Sequence, residues 1–184
     1  MNTLKLLTAQ EWVQIANHEA DWEFLSNNRQ LSEEFIDQHQ DEVDWNAICA
    51  QQELSEQFIH RHQAQVSWHW ISIQQKLSEQ FIIQHQDQVY WHNISEHQTL
   101  SEGFIHRYSN RLDWKFITTH QVLSEEFIIQ HADLINWYYV AWKRVLSEEF
   151  ILRYLHLLNL DYVKDTCPAV YAKYNLSMVQ RLLG

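Results

Sequence analysis

The sequence predicts an all-α solenoid of short helix pairs, two helices per 23-residue repeat, with modified capping helices at both ends. Three observations predict it. The phrase Leu31-Ser32-Glu33-Glu34-Phe35-Ile36 returns at Leu54, Leu77, Leu100, Leu123 and Leu146, each 23 residues after the last and with no insertion. A fixed period of this size marks a stacked repeat array, in which each unit touches only its neighbours. A second set of helix-start residues returns with the same period, 12 residues after the first. Finally, the 184 residues include only 2 Gly and 1 Pro. That composition suits helices joined by short turns and fits poorly with hairpins or Gly-rich phosphate loops.

The chain opens with Leu7-Thr8-Ala9-Gln10-Glu11-Trp12, which reads as a capping box pairing Thr8 with Glu11. Asp21-Trp22 opens the partner helix, so residues 1–30 form an N-terminal capping repeat. Residues 31–160 are the tandem repeats. In the first of them Ser32 is a favoured N-cap, and Glu33 and Glu34 complement the positive end of the helix dipole. Leu31 and Ile36 flank the cap as a hydrophobic staple. The same grammar starts the second helix, with Val43 before the cap Asp44 and Ile48 after it. The second cap recurs as Asp21, Asp44, Ser67, Tyr90, Asp113 and Asn136, with Tyr90 the poor fit. Each helix is then about 8–10 residues, ~15 Å long at ~1.5 Å per residue. Helices this short need stacking to persist.

A Trp follows each second cap, at Trp22, Trp45, Trp68, Trp91, Trp114 and Trp137. Beside a staple this column reads as packing between repeats, with each indole N–H finding an acceptor. Ser26, Cys49, Ser72, Ser95, Thr118 and Ala141 form an always-small column that lets helices approach. Cys49 belongs to it, and with Cys167 it forms no pairing pattern, so both read as reduced thiols. Gln52, Gln75, Gln98 and Gln121 share a column with Arg29 and Arg144. They could bond neighbouring carbonyls or line a surface. Residues 161–184 read as the C-terminal cap. Asp161-Tyr162 replaces the Asp-Trp pair two residues late, Pro168 sits in the first turn of an extra helix, and a last short helix starts at Asn175.

The chemistry-bearing residues have local explanations. His39, His62, His85 and His131 share a column with Tyr108 and Tyr154. Members one repeat apart are separated by ~8–10 Å at helix-packing distance, too far to share a zinc ion. The ladder Glu33, Glu56, Glu79, Glu102, Glu125 and Glu148 is accounted for by the helix dipole. No Gly-x-Ser-x-Gly, phosphate loop, Cys-x-x-Cys or His-Glu-x-x-His occurs. The reading is therefore no catalytic residue, no metal and no cofactor.

The positions that vary between repeats point to binding. On the second helix, the positions two, five and six residues after the Trp share one side. They carry Trp70, Ile73, His97, Phe116, His120, Tyr139 and Trp142, the candidate partner-binding residues. Aromatic groups rimmed by polar ones suit a protein-binding surface. A competing reading places these rings under the next repeat. On the first helix Asp37, His60, Ile83, His106, Ile129 and Leu152 also vary, becoming apolar toward the C-terminus.

The net charge of −11 is uneven: residues 1–60 hold 12 acidic and 2 basic residues, and residues 61–184 hold 12 and 11. The acidic third would repel nucleic acid directly. It also supports an alternative, an acidic nucleic-acid mimic blocking a nucleic-acid-binding enzyme such as a host defence nuclease through Glu33, Glu34, Asp37, Asp41, Glu42 and Asp44. No apolar run approaches the ~18 residues of a membrane span, and the first seven residues read as no signal peptide. The expectation is a cytoplasmic protein with a protein partner and no membrane association. Monomer and homodimer are both open.

Over residues 20–158, the repeated Leu-Ser-Glu-Glu-Phe-Ile phrase, followed by His, Trp and Gln at fixed offsets, resembles a class of short tandem helical repeats met in bacteriophage and large-virus proteins. The resemblance implies a viral or phage source and a role inside the infected host. It carries over no functional residues.

Overall fold

The computed structural model describes residues 5–142 and 144–183, with side chains as far as Asn175. The first four residues of the N-terminal segment therefore lie outside it. Among the described residues every regular element is helical, apart from one isolated backbone pairing that ties Lys5 to Arg29. Two compact units are formed, Met1–Gln98 and Thr99–Gly184.

The first unit contains α1 (Ala9–Ala16), α2 (Trp22–Asn28), α3 (Glu33–Gln38), α4 (Trp45–Gln51), α5 (Glu56–Arg61), α6 (Trp68–Gln74), α7 (Glu79–Gln84) and α8 (Trp91–His97). The capping box of α1 is present as read, with Thr8 and Glu11 bonding reciprocally. The Ser caps hold too, each accepting a hydrogen bond from the Phe amide three residues on, as in Ser55 to Phe58 at 3.1 Å. The second-helix caps are less uniform. Asp21 and Asp44 cap through their side chains, but neither Tyr90 nor Ser67 does. Apart from α1, which has 8 residues, these helices are 6 or 7 residues long rather than 8–10. The first helices α3, α5 and α7 stop early because the His at each C-cap closes a hydrogen-bonded turn. His39 O, for example, accepts from both Glu42 N and Val43 N. Successive second helices pack against one another, α2 on α4, α4 on α6 and α6 on α8. Ile36, Ile48, Ile59, Ile71, Ile82 and Ile94, the staple partners, are fully buried.

The second unit contains α9 (Glu102–Arg107), α10 (Trp114–His120), α11 (Glu125–Gln130), a short 3₁₀ turn (Trp137–Tyr139), α12 (Glu148–Tyr154), α13 (Leu160–Thr166) and α14 (Pro168–Leu183). Three expectations are corrected here. The second helix after Asn136 is a 3₁₀ turn, and Asn136 makes no side-chain cap. In the other repeats the staple carbonyl closes an α-turn with the amide of the Gln column, as Ile117 O does with Gln121 N. Here Val140 O is taken instead by the Arg144 guanidinium at 3.0 Å. Next, the cap of α13 is Asn159 rather than Asp161, and it receives Asp161 N and Tyr162 N. Asn159 stands 23 residues after Asn136, and Leu158 and Val163 are buried in the staple columns, so the period persists through α13. Lastly, α14 runs unbroken from Pro168 to Leu183, with no new start at Asn175.

The capping repeat carries a further device. Arg29 donates to both carboxylate oxygens of Glu11, at 2.8 and 2.9 Å, and the pair is largely buried. The Arg29 hydrogen bonds hold the Glu11 carboxyl down at about 2, against an ordinary value of 4.5. A depressed folded-state value means that the unfolded chain binds the proton more readily. The contribution is therefore complete above pH 4.5 and is lost as pH falls through 2. We expect acid titration of stability to show a loss on the order of 1–2 kcal/mol across that window, reduced by solvent screening from the ideal value. The same loss should be absent in Glu11→Gln, as read by urea midpoints at each pH.

Candidate interaction surface and the ladders beneath it

The recurring columns are engaged inside the stack. Each Gln of the ladder is buried and spans two repeats. Gln75 Nε2 donates to Cys49 O at 3.1 Å and Gln52 O at 2.8 Å, and its Oε1 accepts from Leu54 N at 2.9 Å. Gln52 and Gln98 do the same in the first unit. In the second unit Gln121 receives Leu100 N, and Arg144 donates to Thr118 O and Gln121 O. Cys167 falls in this column as well, with its thiol against Leu146 O. Of the two readings of the column, bonding to neighbouring carbonyls is the one observed.

The Glu ladder does more than complement its own helix dipole. Glu33 accepts from both the amide and the hydroxyl of Ser55, at 2.5 and 3.0 Å, clasping the cap of the next first helix. Glu56 holds Ser78, and Glu125 holds Ser147, in the same way. Glu148, the last of the ladder, is met by Lys173 of α14 instead. The small column is likewise polar by function. Ser26, Ser72 and Thr118 accept the amide of the residue that caps the following second helix. Cys49 replaces the hydroxyl with sulfur, accepting Ser67 N at 3.3 Å, and burial pushes its thiol up to about 11. It is a packing residue held in the unreactive thiol form.

Within the first unit Trp22, Trp45 and Trp68 each pack beside the Phe and His of the following first helix. Trp45 lies 4.9 Å from His62 and 6.1 Å from Phe58, and Phe58 lies 4.5 Å from His62, centroid to centroid. In the second unit Trp114, Phe127 and His131 repeat the arrangement, and Tyr154 takes the His place beside Trp137 and Phe150. From Trp45 to Trp137 each indole N–H of the column donates to the carbonyl five residues back, as in Trp68 to Gln63 at 3.1 Å.

The varying first-helix column also has an internal partner, which sequence reading missed. Asp37 meets His62 Nε2 at 2.5 Å and also binds Arg61. His60 Nδ1 meets His85 Nε2 at 3.1 Å, and His106 Nδ1 meets His131 Nε2 at 3.1 Å. The signal was a spacing of 25 residues. Asp37, His60 and His106 stand 25 before a His, whereas Ile83 and Ile129 stand 25 before a Tyr. These pairs join two different columns, His60 and His106 on one and His85 and His131 on the other.

The proposed binding residues are only partly open. In the first unit Trp70 and Ile73 are half-buried and His97 is exposed. In the second, Phe116, Tyr139 and Trp142 are half-buried and His120 is exposed. The position two after the Trp turns toward the adjacent second helix. Asn93, at that position, is buried with its amide 3.2 Å from His69. Asn93 thus packs as the competing reading describes for this position. Phe116 contacts His120 and lies under the Lys115 ammonium, and Tyr139 touches Trp142 and Tyr162.

The six acidic residues divide. Glu33, Asp37 and Asp44 are tied to Ser55, to Arg61 and His62, and to the first turn of α4. Glu42 pairs with His39 at 3.4 Å. Glu34 and Asp41 are exposed. Among the described residues, no helix is long and apolar enough to cross a membrane.

The fold and these ladders define an all-α tandem-repeat protein in which each repeat carries its neighbour's caps. Comparison with protein-family models, with curated proteins and with solved structures returned no match to the chain.

Proposed function

We propose that the protein is a non-enzymatic repeat scaffold that binds another protein through the outer surface of its second helices. One observation carries this reading. The columns that repeat are engaged in holding the stack, whereas the second-helix stripe changes from repeat to repeat and keeps half-exposed apolar surface at Trp70, Ile73, Phe116, Tyr139 and Trp142. A surface free to vary on a scaffold held constant is what recognition of a partner requires. The resemblance to viral repeats supports a viral or phage protein acting on a host factor in the host cytoplasm. The acidic-mimic reading is weaker, since four of its six carboxylates already have partners within the chain.

The test is capture of partners from host-cell lysate by the wild type and by surface variants. Binding that withstands raised salt and falls at least tenfold in Trp70→Ser with Phe116→Ser is the expected result. Binding that is lost with salt and with Glu34→Gln plus Asp41→Asn, but survives the aromatic changes, would replace this reading with the mimic.

A further inference from the structure

We infer that the two imidazole pairs, His60 with His85 and His106 with His131, are binding sites for a divalent first-row transition-metal cation of the zinc type. The geometry is the same in both units. The facing nitrogens stand 3.1 Å apart in each, with ring centroids 5.2 and 5.1 Å apart and ring planes inclined at 58° and 62°. Two nitrogens at that separation subtend roughly 100° at a cation bound at ~2.0–2.1 Å from each, between the right angle of a tetragonal site and the tetrahedral value.

The surroundings favour a ligand role over a simple hydrogen bond. One ring of each pair is buried and fixed. His85 lies against Trp68 and Phe81, and His131 lies against Trp114 and Phe127. The other ring, His60 or His106, is exposed and open to solvent. In the first unit His85 Nδ1 stands 2.7 Å from Gln88 Oε1. An amide oxygen only accepts, so Nδ1 carries the proton and Nε2 offers its lone pair toward His60. A ligand histidine is held by this kind of outer support. The Gln84 amide lies 3.3 Å from His60 Nδ1, near enough to turn its oxygen toward a cation held there. Burial, and then the nearby His106, push the His131 imidazole below its ordinary value. Binding needs only that the exposed imidazole move its proton from Nδ1 to Nε2, so no net proton is released. Among the described residues no three His, Cys, Asp or Glu side chains converge, so water completes the coordination. The cation would bridge successive repeats and stabilise their stacking.

Leu134 stands in the second unit where Gln88 stands in the first, 46 residues earlier. The first pair therefore fills at the lower metal concentration.

The test uses the full chain and zinc chloride alone, followed by calorimetry and by histidine-ring NMR. Wild-type protein is expected to take up zinc with shifts at His60 and His85 first, then at His106 and His131. The His60→Ala, His106→Ala variant, changed only at exposed rings, should take up two fewer equivalents and lose the zinc-induced rise in melting temperature. His85→Tyr, which copies the residue found at Tyr108 and Tyr154, should keep the stack and lose the first site. Undiminished uptake in the double variant, or no uptake by the wild type, would overturn the assignment.

Discussion

Gln75→Leu is expected to lower stability by about 3–5 kcal/mol, one of the two largest losses available to a single side chain here. Leucine has similar bulk, so the effect is not a cavity. It removes the one group that satisfies Leu54 N and also reaches Cys49 O and Gln52 O, in a place water does not enter. Each polar group left unpaired in the interior costs about 1–3 kcal/mol, so the sum over the set exceeds any single lost bond. The measurement is the urea midpoint together with amide exchange at Leu54, whose protection should collapse. Gln74→Leu, one position away and exposed, is the control and should stay within about 0.5 kcal/mol of wild type.

Phe58→Ala is expected to cost about 3–5 kcal/mol, by the separate route of an emptied core position. Phe58 is fully buried between Trp45 and His62. Its loss leaves both faces of that packing without a partner. The indole of Trp45, anchored at Gln40 O, would then meet water on the side Phe58 had covered, and its fluorescence should move to longer wavelength. Because repeats in such arrays are stabilised by their neighbours, the defect should open α5 before the rest of its unit. Hydrogen exchange across α4 and α5 would show it; uniform loss of protection along the whole unit would contradict the local picture.

Much of the architecture was legible in the chain, and the legible part has a common physical origin. Ser32 and its equivalents cap residues three positions on, Thr8 pairs with Glu11 in one turn, and the column indoles from Trp45 to Trp137 reach a carbonyl five residues back. Partners that close in sequence are found by reading sequence. The less legible part lies 18 to 26 residues away. The Gln column admitted two readings because its carbonyl partners belong to the preceding repeat. The Glu column looked complete as a dipole effect because Ser55 sits 22 residues beyond Glu33. The candidate surface was legible as a stripe, but its exposure was not. The burial of Asn93 beside His69 depends on how one second helix leans on the next.

The helical class, the 23-residue period and most helix starts can be read along the chain, since caps, staples and dipoles act within a turn or two. It took the folded stack to show that Val140 O meets a guanidinium beside a 3₁₀ turn, that Asn159 keeps the register, and that His60 faces His85. Those outcomes depend on the distance between groups in different repeats, and stacking sets that distance.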